Sequence, residues 1–330
     1  MRAAIYTRRG PAGEVLQVVE KPAPHPSYGE VRIKLAFSGV NPSDVKSRSG
    51  IAARAGGFPE VTPHSDGAGV IDAVGEGIDP ARIGERVWVY NGQWERPYGT
   101  AAEFITLPAA QAVPLSNHVP LEVGASIGIP LMTAMHAVQA CGSLVGKTVL
   151  VPGAAGSVGF YVTQLACMAG ARVIAIVSNE DKAALARQIG ASETINYRTE
   201  NVIERVQALT HQQGAEAIID LDAASHAPLY GQLLRFQGRA VVYGSNQPQF
   251  SMAFGPAILG FVSVYCFIVY KLPSAEMRQV LDSVSSVLAR PDLKHPSTSI
   301  HTLDEIVAAH EQVERGANAK VLIRLASDIN

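Results

Sequence analysis

The sequence predicts a two-part α/β protein: a doubly wound parallel sheet covered by helices, beside a β-rich part built as a barrel or sandwich. Three observations predict it. From about 126 to 245, short apolar runs alternate with amphipathic stretches that end in glycine, the pattern of parallel strands joined by crossover helices. Residues 1 to about 125 instead carry short alternating runs such as EVRIKLAFSGV and RVWVY, punctuated by Gly and Pro. At 330 residues the chain is long enough for one hydrophobic centre to divide into two.

Taken in order, TVLVP reads as the first strand of the parallel sheet and SVGFYVTQLACMAG as the helix after it. RVIAIV, ETINY, EAIIDL and RAVVYG follow as strands, with EDKAALARQIG and NVIERVQALTHQQG as helices between them. FGPAILGFVSVYCFIVY, Phe254 to Tyr270, has no charge over 17 residues. It falls short of the roughly 20 residues of a membrane span and is rich in β-branched and aromatic residues. It therefore reads as a core or interface strand, and no membrane partner is expected. Beyond it, SAEMRQVLDSVSSVLA and TLDEIVAAHEQVERG are helical in pattern, and KVLIRL is a terminal strand.

With 27 basic against 29 acidic residues and no block of like charge, no nucleic-acid partner is expected. Cys141, Cys167 and Cys266 are odd in number and widely spaced, so they form neither a disulfide framework nor a Cys-x-x-Cys metal site. Together with an N-terminus that lacks an apolar signal core, this points to the cytoplasm.

The stretch GAAGSVG sits between TVLVP and its helix. A dinucleotide turn needs glycine where the backbone bends, where it nears the pyrophosphate, and where helix meets strand, with the phosphates over the helix N-terminus. Gly153, Gly156 and Gly159 bracket Ala154, Ala155, Ser157 and Val158, so Ala154 takes the place of a usual glycine. The second strand ends in VSNEDK, where Ser178 and Asn179 replace the acid that would hold the ribose hydroxyls of NAD. The Ser178 hydroxyl and the Lys182 cation suit a 2′-phosphate that a carboxylate would repel, which selects NADPH. Ser178 or Asn179 also reads as a cap for the helix starting at Glu180, with Lys182 solvated.

The motif order resembles the medium-chain dehydrogenase/reductase superfamily, in its zinc-free quinone oxidoreductase (zeta-crystallin-like) branch. The resemblance runs through GEVRIKLAFSGVNPSDVKSRSG, PHSDGAGVIDAVGEGI, GERVW, GTAAEFITLP, GIPLMTAMHAV, GAAGSVG, SNEDKAALARQIGASETINYRTEN and NAKVLI. It implies a GroES-like catalytic domain made of 1–125 with 270–330, a Rossmann domain over 126–269, and an active site in the cleft between them. It also implies a homodimer paired through the apolar strand near Val262 to Ile268. Lys182 and Tyr197 match positions that contact the 2′-phosphate in the family, and Tyr243 and Asn318 complete the expected cofactor set.

Many relatives are zinc alcohol dehydrogenases, but where those place a cysteine after the GV this chain has Asn41. The acid that follows the histidine is Ser65, and no cysteine precedes residue 141. His64 alone is too few ligands for zinc, so no metal is expected and His64 reads as a hydrogen-bonded packing residue. The chemistry left is hydride transfer from the nicotinamide to a small electron-poor acceptor, a quinone in the first reading. An enone or enoyl acceptor is the rival, and a non-catalytic NADPH-binding protein of crystallin type is a third reading. Asn41 matches the family's active-site asparagine. Asp44 and Arg48 read equally as catalytic groups or as a cap and a structural ion pair. Lys46 and Ala52 stand where tyrosines often face the substrate in this branch, and Lys46 reads as an enolate stabiliser or proton donor, or as a surface lysine.

Overall fold

The computed structural model describes residues 1–51, 57–316 and 319–326. The chain forms two units, one from Met1–Ile129 with His295–Asn330 and the other from Pro130–Lys294. In chain order the first stretch holds β1 (Arg2–Ile5), α1 (Ala12–Val15), β2 (Gln17–Glu20), β3 (Glu30–Gly39), α2 (Pro42–Ser49), β4 (Asp66–Val74), β5 (Arg86–Val89), β6 (Phe104–Pro108), β7 (Ala112–Pro114) and α3 (Leu121–Ala140). Next come β8 (Thr148–Pro152), α4 (Ser157–Met168), β9 (Arg172–Val177), α5 (Glu180–Gln188), β10 (Glu193–Asn196), α6 (Val202–Leu209), β11 (Ala215–Asp220), α7 (Ala223–His226), α8 (Tyr230–Leu233), β12 (Leu234–Val242), α9 (Phe254–Leu259), β13 (Ser263–Cys266) and α10 (Ser274–Leu288). β14 (Thr298–Thr302), α11 (Ile306–Glu314) and β15 (Lys320–Arg324) close the chain.

The central unit is a Rossmann sheet. Its six strands are all parallel, in the order β10-β9-β8-β11-β12-β13. The order reverses between β8 and β11, and that reversal leaves a crevice at the carboxyl ends of the strands where a dinucleotide can lie. Leu150, Ile174, Ile218 and Ala240, one from each inner strand, meet Tyr230 and Leu233 of α8 in the core. Each buried aliphatic side chain contributes about 2 kcal/mol, which explains why these strands are nearly unbroken apolar runs.

The terminal unit is a mixed sheet in the order β14-β15-β3-β4-β5-β7, with β6 paired to β3 and a separate β1-β2 ladder. β3 lies at its centre, antiparallel to β4 on one side and to β15 on the other. Val31, Ile33 and Leu35 of β3 pack with Ile71, Val87, Ile105 and Leu107. This is the β-rich part expected from the alternating runs, and the one that the resemblance implies to be GroES-like.

Two local expectations change. The uncharged segment from Phe254 is not one strand: Phe254–Leu259 is helical, and only Ser263–Cys266 pairs into the sheet. Pro256 falls in the first turn of that helix, where its missing N–H costs no hydrogen bond. The return to the terminal unit comes at His295 rather than near 270, because α10 stays with the central unit, its Ser283 accepting from Gln139 of α3. α3 is long and apolar enough to cross a membrane by length and composition, but most of it is buried in the protein.

Candidate active site and dinucleotide turn

The turn after β8 is shaped by its glycines. Gly153 has φ +67°, a conformation that favours glycine, and its carbonyl accepts the Gly156 N–H at 2.8 Å. A Cβ on Gly159 would collide with the Gly153 carbonyl, so glycine there lets helix and strand approach. Ala154 is fully buried, its methyl accommodated in the place of the missing glycine. Gly156 caps α4 with no side-chain hydrogen bond, so the first N–H groups of the helix are left for an anion. The turn fits a pyrophosphate.

The adjacent carboxyl ends of β9 and β10 gather the other expected residues. The register pairs Asn196 with Val177, and the Tyr197 N–H donates to the Val177 carbonyl at 3.1 Å, so Ser178 and Tyr197 stand side by side just past the strands. Ser178 is buried and Tyr197 is 53% exposed. Asn179 caps α5, its Oδ1 accepting the Lys182 N–H at 2.9 Å. That sets Lys182 in the first turn of the helix, above the same strand ends. Arg198, which sequence reasoning did not single out, follows Tyr197 and is exposed. Among the described residues neither the Lys182 ammonium nor the Arg198 guanidinium has a partner.

On the other side of the crevice, β11 ends in a buried carboxylate. Asp220 accepts from the Tyr230 hydroxyl at 2.6 Å and from the Asp222 N–H at 2.8 Å, and His226 Nδ1 lies 2.7 Å away. Burial alone would lower the His226 pKa, but the hydrogen bond and charge of Asp220 raise it. The Tyr243 N–H donates to the Asp220 carbonyl at 3.0 Å, which fixes that residue at the end of β12.

In the terminal unit Asn41 is the centre of a buried polar cluster. It caps α2, and Asp44 completes a capping box by accepting the Asn41 backbone N–H at 2.8 Å. The Asn41 side chain spans two charges: Nδ2 donates to Asp66 Oδ2 at 2.7 Å, and Oδ1 accepts from Lys320 Nζ at 2.6 Å. Lys320 Nζ lies 3.6 Å from Asp66, and all three residues are buried. Burial raises the Asp66 pKa and lowers that of Lys320, while their mutual attraction opposes both shifts. Asp66 Oδ1 accepts the Ile129 N–H at 2.8 Å, just before Pro130 inside α3. A Cβ on Gly128 would meet that carboxylate, so the glycine admits it to the helix.

A second chain of bonds runs beside this cluster, and its direction follows from one fixed end. Thr100 Oγ1 donates to the Asp66 carbonyl at 2.6 Å, because a carbonyl only accepts. Its hydrogen is then spent, so Ser38 Oγ, 2.8 Å away, donates to Thr100. His64 Nδ1, 2.8 Å from Ser38 Oγ, must donate in turn, which leaves its Nε2 bare to accept from His310 Nε2 at 2.9 Å. Burial keeps both imidazoles neutral, which is what leaves the His64 Nε2 bare. Burial holds the His64 pKa well below its usual value, and burial with the Arg48 charge pushes His310 down to about 3.

Of the two readings open for Asp44 and Arg48, the geometry is that of a cap and an ion pair. Arg48 is fully buried, and its guanidinium bonds the Gly10 carbonyl and Glu314 of α11. Lys46 is half-buried on α2. Ala52 and Asn318 lie outside the described residues. Among the described residues no three His, Cys, Asp or Glu side chains are placed to hold a metal ion. Asp66, Lys320 and His310 were missed in the sequence. Their one visible signal was a charged or titratable residue at the first position of a strand, for Asp66 and Lys320, or inside a helix pattern, for His310.

Two family profiles match the chain: alcohol dehydrogenase GroES-like domain over residues 27–117, and zinc-binding dehydrogenase over 157–286. The human quinone oxidoreductase is 30% identical over 328 residues, covering 97% of this chain and 95% of that protein. A crystal structure of an NAD-dependent alcohol dehydrogenase superposes with TM-score 0.86 at 27% identity, covering 99% of this chain and 100% of that one. A mycobacterial protein solved with NADPH gives 0.83 at 27% identity, covering 98% and 100%.

Proposed function

Because the chain belongs to the medium-chain dehydrogenase/reductase superfamily, in its zinc-free quinone oxidoreductase branch, we propose that this oxidoreductase is an NADPH-dependent reductase of quinones. The observation that carries the cofactor assignment is the end of β9 and β10. No carboxylate stands at the ribose position, and Ser178, Lys182, Tyr197 and Arg198 form a cationic, hydroxyl-bearing cluster there. A 2′-phosphate gains charge-assisted contacts from cations of this kind, while the carboxylate that would accept from the ribose hydroxyls of NAD is missing.

The turn from Gly153 to Gly159 holds the pyrophosphate through the N–H groups that open α4. When bound, the nicotinamide supplies the hydride to an electron-poor acceptor. The Asn41 side chain meets that acceptor or the nicotinamide amide through the Nδ2 hydrogen not spent on Asp66. Asp44 and Arg48 support α2 beneath it. Lys46, half-buried on the same helix, favours the second reading, an enone or enoyl acceptor whose enolate an ammonium would stabilise. β13 is an edge strand whose Ser263, Tyr265 and Cys266 are exposed, and Phe254, Ile258, Leu259 and Phe261 form an apolar surface beside it. An unprotected edge of this kind supports a homodimer. The free thiols Cys141, Cys167 and Cys266 are consistent with the cytoplasm.

Steady-state rates with a quinone, an enone and an alcohol test the proposal. The expected result is turnover of the quinone with NADPH and none of the alcohol. Alcohol turnover without quinone turnover would overturn it.

A further inference from the structure

We propose that Asp66 and Lys320 are positioning residues for the reaction: together they lock the Asn41 side-chain amide in one of its two orientations. The inference rests on the reading that Asn41 meets the acceptor or the nicotinamide. An asparagine amide is nearly symmetric in shape, so packing alone cannot tell its oxygen from its nitrogen. Its partners here can. A lysine ammonium only donates and a carboxylate only accepts, and they stand side by side 3.6 Å apart, one at the amide oxygen at 2.6 Å and the other at its nitrogen at 2.7 Å. Turned over, the amide would face donor to donor and acceptor to acceptor, with no water to relieve either clash, because the three residues are at most 2% exposed.

Strand register brings the three together. β3 pairs with β4 so that Gly39 faces Asp66, and with β15 so that Leu322 faces Gly39. Carried two residues beyond the strand end, the second ladder sets Lys320 opposite Asn41, and the Val40 N–H donates to the Val321 carbonyl at 3.0 Å to hold that alignment. Asp66 is itself fixed, its Oδ1 tied to the Ile129 N–H and its carbonyl to Thr100. One Asn41 Nδ2 hydrogen goes to Asp66. The other has no partner among the described residues, so the ion pair decides which hydrogen faces the ligand.

The test is the double variant Asp66→Asn/Lys320→Met. It removes both buried charges at once, which spares the fold the unpaired charge that either single change would leave. With its oxygen kept on the Ile129 N–H, an asparagine at 66 presents its amide hydrogens to Asn41 and so favours the reversed orientation. The expected result is a melting temperature near that of the parent, KM for the quinone and Kd for NADPH within about twofold, and kcat lower by about tenfold or more, the cost of a misoriented contact. Asn41→Ala is run beside it. If Asn41→Ala loses turnover but the folded double variant keeps the parent's kcat, the positioning role is overturned and the role of Asn41 stands. If Asn41→Ala keeps full turnover, the role of Asn41 fails and the inference with it.

A measurement on the unaltered protein without cofactor does not depend on the variant folding. The two side-chain amide hydrogens of Asn41 should give separate NMR signals, one strongly protected from exchange by Asp66. Two signals that exchange alike, at the rate of a solvent-exposed asparagine, would overturn the inference.

Discussion

Lowering the pH should destabilise the terminal unit through His310, by an amount the structure sets. The folded protein holds His310 at about 3, whereas an unfolded histidine titrates near 6.5. Its folded pKa is depressed, so the stability it confers is fully present above 6.5 and is lost as pH falls from 6.5 toward 3. At pH 5 the unfolded chain has taken up a proton that the fold refuses, a loss of about 2 kcal/mol from His310 alone. His64 shifts in the same direction through its own burial, and its loss adds to that of His310. For a unit of this size about 2 kcal/mol corresponds to about 4–8 °C in melting temperature. The perturbation that isolates it is His310→Gln, since a glutamine still donates to His64 Nε2 but does not titrate. Melting is followed by circular dichroism at pH 7.5 and 5.0 in both proteins. The variant should lose less on acidification than the parent, by about 4–8 °C. An equal loss in both would show that His310 is protonated in the fold, and would refute the neutral, directional chain from His310 to Thr100.

Gly159→Ala should weaken NADPH binding by about tenfold or more in a fluorescence titration, because the new methyl meets the Gly153 carbonyl and opens the turn. Unchanged affinity would show that the turn does not carry the pyrophosphate. Elemental analysis of the purified protein should find no stoichiometric zinc, since both His64 ring nitrogens are already bonded to Ser38 and His310. Zinc at one equivalent, lost together with activity on chelation, would contradict that reading.

The central sheet was readable in the sequence because a strand buried on both faces must be an apolar run, and the helices crossing it must be amphipathic. TVLVP, RVIAIV and EAIIDL appear where they were expected. The glycine turn was readable because its geometry is local, with Gly153, Gly156 and Gly159 inside one βαβ unit. The polar cluster around Asn41 was not. Its partners lie 25 and 279 residues away and arrive only through the two ladders of β3. A buried lysine also looks like a surface lysine in any local window, so Lys320 was passed over within its strand. Phe254–Leu259 misled for a related reason: exposed aromatic and β-branched residues resemble a core strand in composition, but Pro256 and Gly255 at the start let a helix form.

The central claim is that this reductase selects NADPH through cations at the ends of β9 and β10. It is tested most directly by kcat/KM for a single quinone with NADPH and with NADH, measured in the parent and in Lys182→Glu. The parent should prefer NADPH. In the variant the NADPH value should fall by at least about a hundredfold while the NADH value changes little, because only NADPH brings a phosphate to the reversed charge. Equal losses with both cofactors, or a parent that prefers NADH, would contradict the account.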